Sequence, residues 1–277
     1  MGILFALLAA AAYGVSDFIG GIASRRVSAM NVLLVSYPIG GAIMAALLVF
    51  YGGAVSGSTL AWSLAGGVVG LAGVALLYSA LAMAPMNIIS PVTAVMSAVV
   101  PVLGGVVKGE RPHLLAWLGI ALGLVAVVLI SRQPEDHPHG PVGWKPLSMA
   151  VVAGIGFGAY FICLAQSDHD SGMWPVVISR AASAVLVVPL VLTGGRFVRL
   201  GRSVFGLAAV AGVLDATANV AFLLASRHGL LSLSGVITAL YPAGTVLLAV
   251  LILKEHMGKI QRGGLGLAAA AVVLLTR

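Results

Sequence analysis

Three ionisable side chains stand inside long apolar stretches of the sequence: Asp17, Arg180 and Asp215. The rest of the 15 basic and 8 acidic residues fall in short connecting segments. An ionisable group at membrane depth is costly, so it faces the interior of a helix bundle or a cavity and is a functional candidate by default. Asp17 shares a helix face with Tyr13 at i−4, and Asp215 shares one with Asn219 at i+4. Each pair makes a short polar stripe. A carboxylate in such a stripe can hold a substrate ammonium. It can also carry a proton, because desolvation favours its neutral form. Arg180 can hold a substrate carboxylate or balance one of the two aspartates. The structural alternative is an Asp–Arg pair that only locks helices together. Arg180 lies in the first third of its stretch, where snorkelling to the interface is a further alternative.

Weaker candidates are polar or aromatic residues in the same stretches. Tyr78, Ser90, Tyr160 and Tyr241 are the ones carried forward as substrate-binding or coupling residues, beside Tyr13, Asp17, Arg180, Asp215 and Asn219. Asn87, Thr93, Gln166 and Thr238 belong to the same group of polar positions. For the tyrosines the bland alternative is packing or interfacial anchoring.

Enzyme chemistry has little support. None of His113, His137, His139, His169, His228 and His256 lies within an apolar stretch, and no two are paired at zinc-ligand spacing on a helix. The sequence lacks a phosphate-cradling glycine loop with Lys-Ser/Thr, which excludes ATP as an energy source supplied by this chain. No metal and no cofactor are expected. The single Cys163 excludes an internal disulfide.

These residues need a scaffold, and composition names its class. Of 277 residues 60% are apolar and 8% are charged, against roughly 25% charged in a soluble domain. Mean hydropathy is +1.11. So few charges cannot cover a soluble surface, and the chain reads as a polytopic membrane protein of the plasma membrane. Its net charge of +7 is spread through short loops, which fits basic loops beside a bilayer and not nucleic-acid binding. The first apolar stretch lacks a basic leader and contains Asp17, so it reads as a retained span.

Ten apolar segments are expected to be transmembrane helices: Leu4–Ala23, Val32–Phe50, Leu60–Met83, Ile88–Val107, Leu114–Ile130, Leu147–Ala165, Trp174–Leu192, Val204–Ala225, Leu230–Leu253 and Gly263–Leu275. Pro91, Pro101 and Pro242 are expected to break or kink the fourth and ninth. The Pro-rich loop between the fifth and sixth divides the chain into a first unit at 1–131, a connection at 132–146 and a second unit at 147–277. Features recur in order between the units. A shift of 145 residues puts Glu110 on Glu255 and Gly119 on Gly264. Ser36-Tyr37 falls near Ser179-Arg180, and Tyr13-Gly14 near Phe157-Gly158. Five spans per unit is an odd number, so two related units must cross the membrane in opposite senses. The expected fold is therefore all-α, with ten transmembrane helices as two inverted five-helix repeats and a site at their interface. Glu110 and Glu255 read as orienting and capping residues at helix ends. Gly119-x-x-x-Gly123 and its counterpart Gly264-x-x-x-Ala268 suggest that the fifth and tenth spans pack together.

The chain resembles the drug/metabolite transporter superfamily, EamA type, over nearly its whole length. The resemblance rests on the two five-span units and on Tyr13-Gly14-Val15-Ser16-Asp17-Phe18 in the first span. It rests also on the Pro-rich fourth span ending in Gly109-Glu110-Arg111, and on Leu240-Tyr241-Pro242 with Glu255 thirteen residues after that proline. The family often carries Arg in both the second and the seventh span; Arg180 matches, and Tyr37 departs. The resemblance implies a secondary transporter, an exporter of small metabolites such as amino acids, working by alternating access. It places the first, third, fourth, sixth, eighth and ninth spans around a central cavity. The implied partners are a small-molecule substrate, the lipid bilayer and protons, with a homodimer left open. Efflux of hydrophobic cations or drugs is the alternative; it needs an acidic site without a cationic neighbour, and an aromatic wall. A membrane-embedded enzyme would need catalytic side chains clustered at one face. Orientation stays open. The basic residues concentrate in the 1–2, 5–6, 7–8 and 9–10 loops, which favours outside termini, whereas the resemblance implies cytoplasmic ones.

Overall fold

Backbone polar groups inside a bilayer must pair within their own segment, so long apolar stretches become helices. The computed structural model describes residues 1–24, 26–81, 83–84, 86–131, 143–193, 198–252, 254 and 257–276, without the side chains of Tyr78, Leu81, Met86, Asn87, Ile88, Ser90, Thr193 and Ala249. Among them there are eleven α-helices and no strand. They are α1 (Gly2–Ser24), α2 (Ala29–Leu47), α3 (Gly57–Leu81), α4 (Met86–Val107), α5 (Leu114–Ser131), α6 (Trp144–Gln166), α7 (Trp174–Thr193), α8 (Arg202–His228), α9 (Leu231–Thr238), α10 (Tyr241–Ile252) and α11 (Lys259–Leu275). Eight segments are long and apolar enough to cross a membrane, counting Leu231–Ile252 as one, and Pro91–Val107 is a shorter apolar helix. The chain is a multi-pass membrane protein.

Each of the ten expected segments is helical, the ninth as two helices. The prolines act unequally. α4 stays one helix through Pro91 and Pro101. The ninth segment stops at Thr238, whose carbonyl faces a position where Pro242 has no N–H to donate. The last turn of α9 tightens: Ala239 N donates to Gly235 O at 2.9 Å and Leu240 N to Ile237 O at 3.2 Å. α10 then restarts at Tyr241.

Nearly every extensive helix contact joins the first half of the chain to the second. α1 packs on α8, α9 and α10; α2 on α7 and α8; α3 on α6 and α7; α4 on α6 and α9; and α5 on α11. Small residues set these distances. A Cβ on Gly212 of α8 would meet the Ser36 carbonyl oxygen of α2, and one on Gly67 of α3 would meet the Ser179 carbonyl oxygen of α7. Both crossings therefore need glycine. Gly119 of α5 abuts Leu275 and Ala271, and Gly264 of α11 abuts Leu129 and Ile130, so the fifth and tenth segments do pack together.

One end of the bundle is tied by polar contacts. The segment after α2 and the segment before α7 exchange backbone bonds, Met173 N to Tyr51 O and Ala54 N to Asp170 O, both at 3.1 Å. Trp174 Nε1 donates to Gly53 O at 3.0 Å. Arg227, at the end of α8, donates to the carbonyls of Gly172 at 2.8 Å and Asp168 at 3.1 Å, and to Ser171 Oγ at 2.9 Å. The Asp168 carboxylate accepts from Ser56 Oγ and from Thr59 Oγ1. At the same end Glu110 accepts from Leu231 N at 2.5 Å and Ser232 N at 3.0 Å, so it caps α9. The expected capping role is realised for Glu110; Glu255 lies outside the described residues.

Candidate functional site

The polar stripes of the sequence converge inside the bundle. On α8, Asn219 Nδ2 donates to Asp215 Oδ2 at 3.1 Å and to the Asp215 carbonyl at 2.7 Å, so the i,i+4 pair holds itself in register. Tyr160 of α6 donates its hydroxyl to Asn219 Oδ1. Arg180 of α7 forms an ion pair with Asp215 through Nη2. The guanidinium carbon of Arg180 lies 4.3 Å from the ring centroid of Tyr37 on α2, a cation–π contact. Four helices, α2, α6, α7 and α8, are thus linked by Tyr37, Tyr160, Arg180, Asp215 and Asn219.

Arg180 does not snorkel. It is 7% exposed, and its Nε is buried without a hydrogen-bond partner. Burial this deep requires a counter-charge, and Asp215 on the neighbouring helix supplies it. The structural alternative for this pair, an Asp–Arg lock between helices, is the arrangement found. Tyr37 is the participant that reading the sequence missed. Its signal was available, because Ser36-Tyr37 aligns with Ser179-Arg180 between the two halves.

Asp17 is different. It makes no hydrogen bond and no ion pair among the described residues, and it is exposed. It lies on the α1 face on which Tyr13, one turn earlier, approaches Phe161 and Tyr241. It lies seven residues, about 10 Å of helix, before the end of α1. It is within electrostatic range of Asp215 and of Tyr241.

Aromatic side chains form the wall beside it. Tyr13, one turn before Asp17, stands 6.4 Å from Tyr241 of α10 and 6.2 Å from Phe161 of α6, ring centroid to centroid. Phe161 stacks on Phe222 of α8 at 4.1 Å and stands 6.0 Å from Tyr160. Tyr13, Tyr160 and Tyr241 are half-buried, while Phe222 is fully buried behind them. α1 and α10 are fixed against each other by Thr245 Oγ1, which donates to Gly14 O at 3.1 Å. α1 and α8 are fixed by Ser16 Oγ, which donates to Ala211 O at 2.9 Å.

The structure therefore gathers Tyr13, Asp17, Tyr160, Arg180, Asp215, Asn219 and Tyr241. The side chains of Tyr78 and Ser90 lie outside the described ones. Thr93 donates to the carbonyls of Ile89 and Ala150, so it joins α4 to α6 as a packing residue. Thr238 is fully buried at the α9–α10 break. A separate cleft between α1, α2 and α8, lined by Phe5, Leu8, Ile43, Leu47, Val220 and Leu224, is almost wholly apolar and contains none of the site residues. No cluster of three or more His, Cys, Asp or Glu that could hold a metal exists among the described residues.

The model of the EamA-like transporter family matches residues 1–132 and again 144–277. No curated protein matches the chain. Solved structures do, 28 chains in all. One, titled only "Crystal structure of protein", is 18% identical, covers 99% of this chain and 96% of its own, and superposes with a TM-score of 0.81. That likeness is one of fold.

Proposed function

The chain belongs to the EamA-like transporter family, and on that premise we propose that it is a secondary transporter that exports small amine-bearing metabolites, amino acids among them, by alternating access. The observation that carries this reading is a polar and aromatic cluster, built by α1, α6, α7, α8 and α10, enclosed in an otherwise apolar bundle. Ionisable groups are retained at such a depth where they serve a pathway.

We read the bundle as ten spans in two inverted repeats, 1–131 and 147–277, with 132–146 between them. Helix pairing supports this. The α1–α8 contact is answered by α6–α3, the α2–α8 contact by α7–α3, and α1 on α9 and α10 by α6 on α4. Gly212 over Ser36 is answered by Gly67 over Ser179. The separate family matches in each half support it too. With this symmetry one half rocks against the other around the cluster, exposing it to the two faces in turn. Asp17 is the coupling group: a proton leaves its carboxyl as a substrate ammonium takes its place, so proton entry drives substrate exit. No step calls for enzyme chemistry.

Counterflow in proteoliposomes tests the reading. A panel of labelled amino acids and amines is offered outside vesicles preloaded with the same compound. The expected result is saturable uptake, accelerated by the preload and driven by a pH gradient. Flux that rises linearly with concentration, or none at all, would overturn it.

A further inference from the structure

Two threonines at equivalent places in the two halves are bonded unequally. The shift of 145 residues that puts Glu110 on Glu255 also puts Thr93 of α4 on Thr238 of α9, and Ser97 on Pro242. Each threonine stands seven residues after the first residue of its helix. Glu110, past the end of α4, caps the start of α9. The two helices therefore run antiparallel, and the threonines lie toward opposite ends of the bundle. Both are buried. Thr93 Oγ1 donates to the Ile89 carbonyl of its own helix at 3.1 Å and to the Ala150 carbonyl of α6 at 3.2 Å. Thr238 Oγ1 has no partner among the described residues. A buried hydroxyl left unpaired carries its full desolvation cost. The acceptor that would restore the symmetry is present. The shift of 144 residues that puts Tyr13-Gly14 on Phe157-Gly158 puts Ala6 on Ala150. Gly14 of α1 abuts Thr245 as Gly158 of α6 abuts Val100, so both halves keep one register. Ala6 is buried in one cluster with Val236 and Ile237 of α9. The difference lies in the helix itself. Ser97 has an N–H where Pro242 has none, so α4 runs on while α9 stops at Thr238.

Resting on the inverted-repeat and transporter readings above, we infer that Thr93 and Thr238 are the two halves of one latch, engaged in turn. In this state Thr93 ties α4 to α6. In the oppositely facing state Thr238 ties α9 to α1 through the Ala6 carbonyl, and Thr93 releases Ala150. The turn at Ala239 and Leu240 is the hinge. One hydrogen bond is exchanged for another of the same kind, so neither state is favoured by the exchange and both stay within reach.

Thr93→Val and Thr238→Val each remove one hydroxyl with little change of shape. Hydrogen exchange of the purified full chain, read by mass in the 89–97 and 146–154 peptides, follows the α4–α6 contact. Thr93→Val is expected to speed exchange there by about fivefold, the scale of one hydrogen bond. Thr238→Val is expected to slow it by about the same factor, because the state in which α4 leaves α6 loses its own bond. Thr238→Ser should behave like wild type, and the double valine variant should bring the rate back toward wild type. Thr238 makes no bond in this state, so a merely local role would leave exchange at α4 and α6 unchanged. Thr238→Ala gives the same reading if the valine variant does not fold. Exchange at 89–97 and 146–154 that is unchanged or faster in a Thr238 variant as heat-stable as wild type would overturn the inference. Saturable counterflow by the wild-type chain would then still leave the transporter reading in place. Slower exchange in Thr238→Val, restored by Thr238→Ser but without any counterflow, would do the reverse: it would uphold the latch and sink the transporter reading.

Discussion

At the residue scale, the chain separates two roles that look alike in sequence. Asp17 and Asp215 are both intramembrane carboxylates one turn from a polar partner. Asp215 is committed to Arg180 and Asn219, and Asp17 is uncommitted. Removing one member of a buried ion pair strands the other charge and costs about 3–5 kcal/mol, whereas replacing both with apolar groups costs far less. Arg180→Met and Asp215→Leu should therefore each lower stability in detergent by several kcal/mol, and the double variant should recover much of that loss. A double-mutant cycle on reversible unfolding measures it; costs that simply add would mean that the pair is not coupled. Tyr37→Leu should cost about 1 kcal/mol through the same guanidinium, and its effect should vanish in the Arg180→Met background. Much of the site was legible in the sequence because an isolated charge in an apolar helix is conspicuous. Its pairing was not, since which aspartate meets Arg180 depends on how α7 and α8 lie across each other. Tyr37 is an ordinary apolar-helix residue until the guanidinium is placed over its ring.

At the element scale, the helices follow from long apolar runs, and their ends from polar contacts that reading along one segment cannot find. The α9–α10 break is local: Pro242 withholds a donor, and the turn at Ala239 and Leu240 absorbs the loss. Pro91 and Pro101 withhold donors too, yet α4 continues, held by α6 on one side and α9 on the other. At Pro91 and Pro101, tertiary packing outweighs the missing donors. The cap on α9 is equally non-local, because Glu110 reaches the Leu231 and Ser232 amides from the far end of α4. Glu110→Ala should cost about 1–2 kcal/mol, the scale of a lost N-terminal cap. It should raise hydrogen exchange at Leu231 and Ser232 selectively; exchange unchanged at those amides would argue against the cap. Gly172 tests the tied end. It sits at φ +53 with its carbonyl taken by Arg227 and the Gly52 backbone against it, a conformation and a clearance that exclude a Cβ. Gly172→Ala should loosen the 48–56 and 167–173 segments together. Accessibility of a cysteine placed at Ala54 reads this out, and loosening of only one segment would show that the two are not tied.

At the scale of the whole molecule, the halves do not fold side by side as domains do. Each extensive contact of α1, α2 and α3 is made with a helix of the other half, as is that of α5 with α11. Within each half, contacts between neighbouring segments are sparse. A five-helix half on its own would leave the glycine-lined faces of Gly67 or Gly212 without the opposing helix that fills them. In a bilayer, association rests on just such close packing, since lipid offers little hydrophobic reward for it. Cutting the chain within 132–143 tests this. Residues 1–131 or 143–277 expressed alone should be degraded or aggregate, while the two co-expressed should assemble and regain counterflow. Stable accumulation of either half alone would mean that the interleaved contacts do not determine the fold. The same assembly fixes topology: with ten spans both termini lie on one side of the membrane, and with nine they lie on opposite sides. The difference turns on α4 and α11, the two helices whose length or apolar run is least. Reporter fusions to the two ends should therefore give the same sidedness. Opposite sidedness would leave α4 or α11 outside the bilayer, at odds with the packing of α4 on α6 and of α11 along α5, and would remove the odd number of spans in one half from which the inverted repeat is argued.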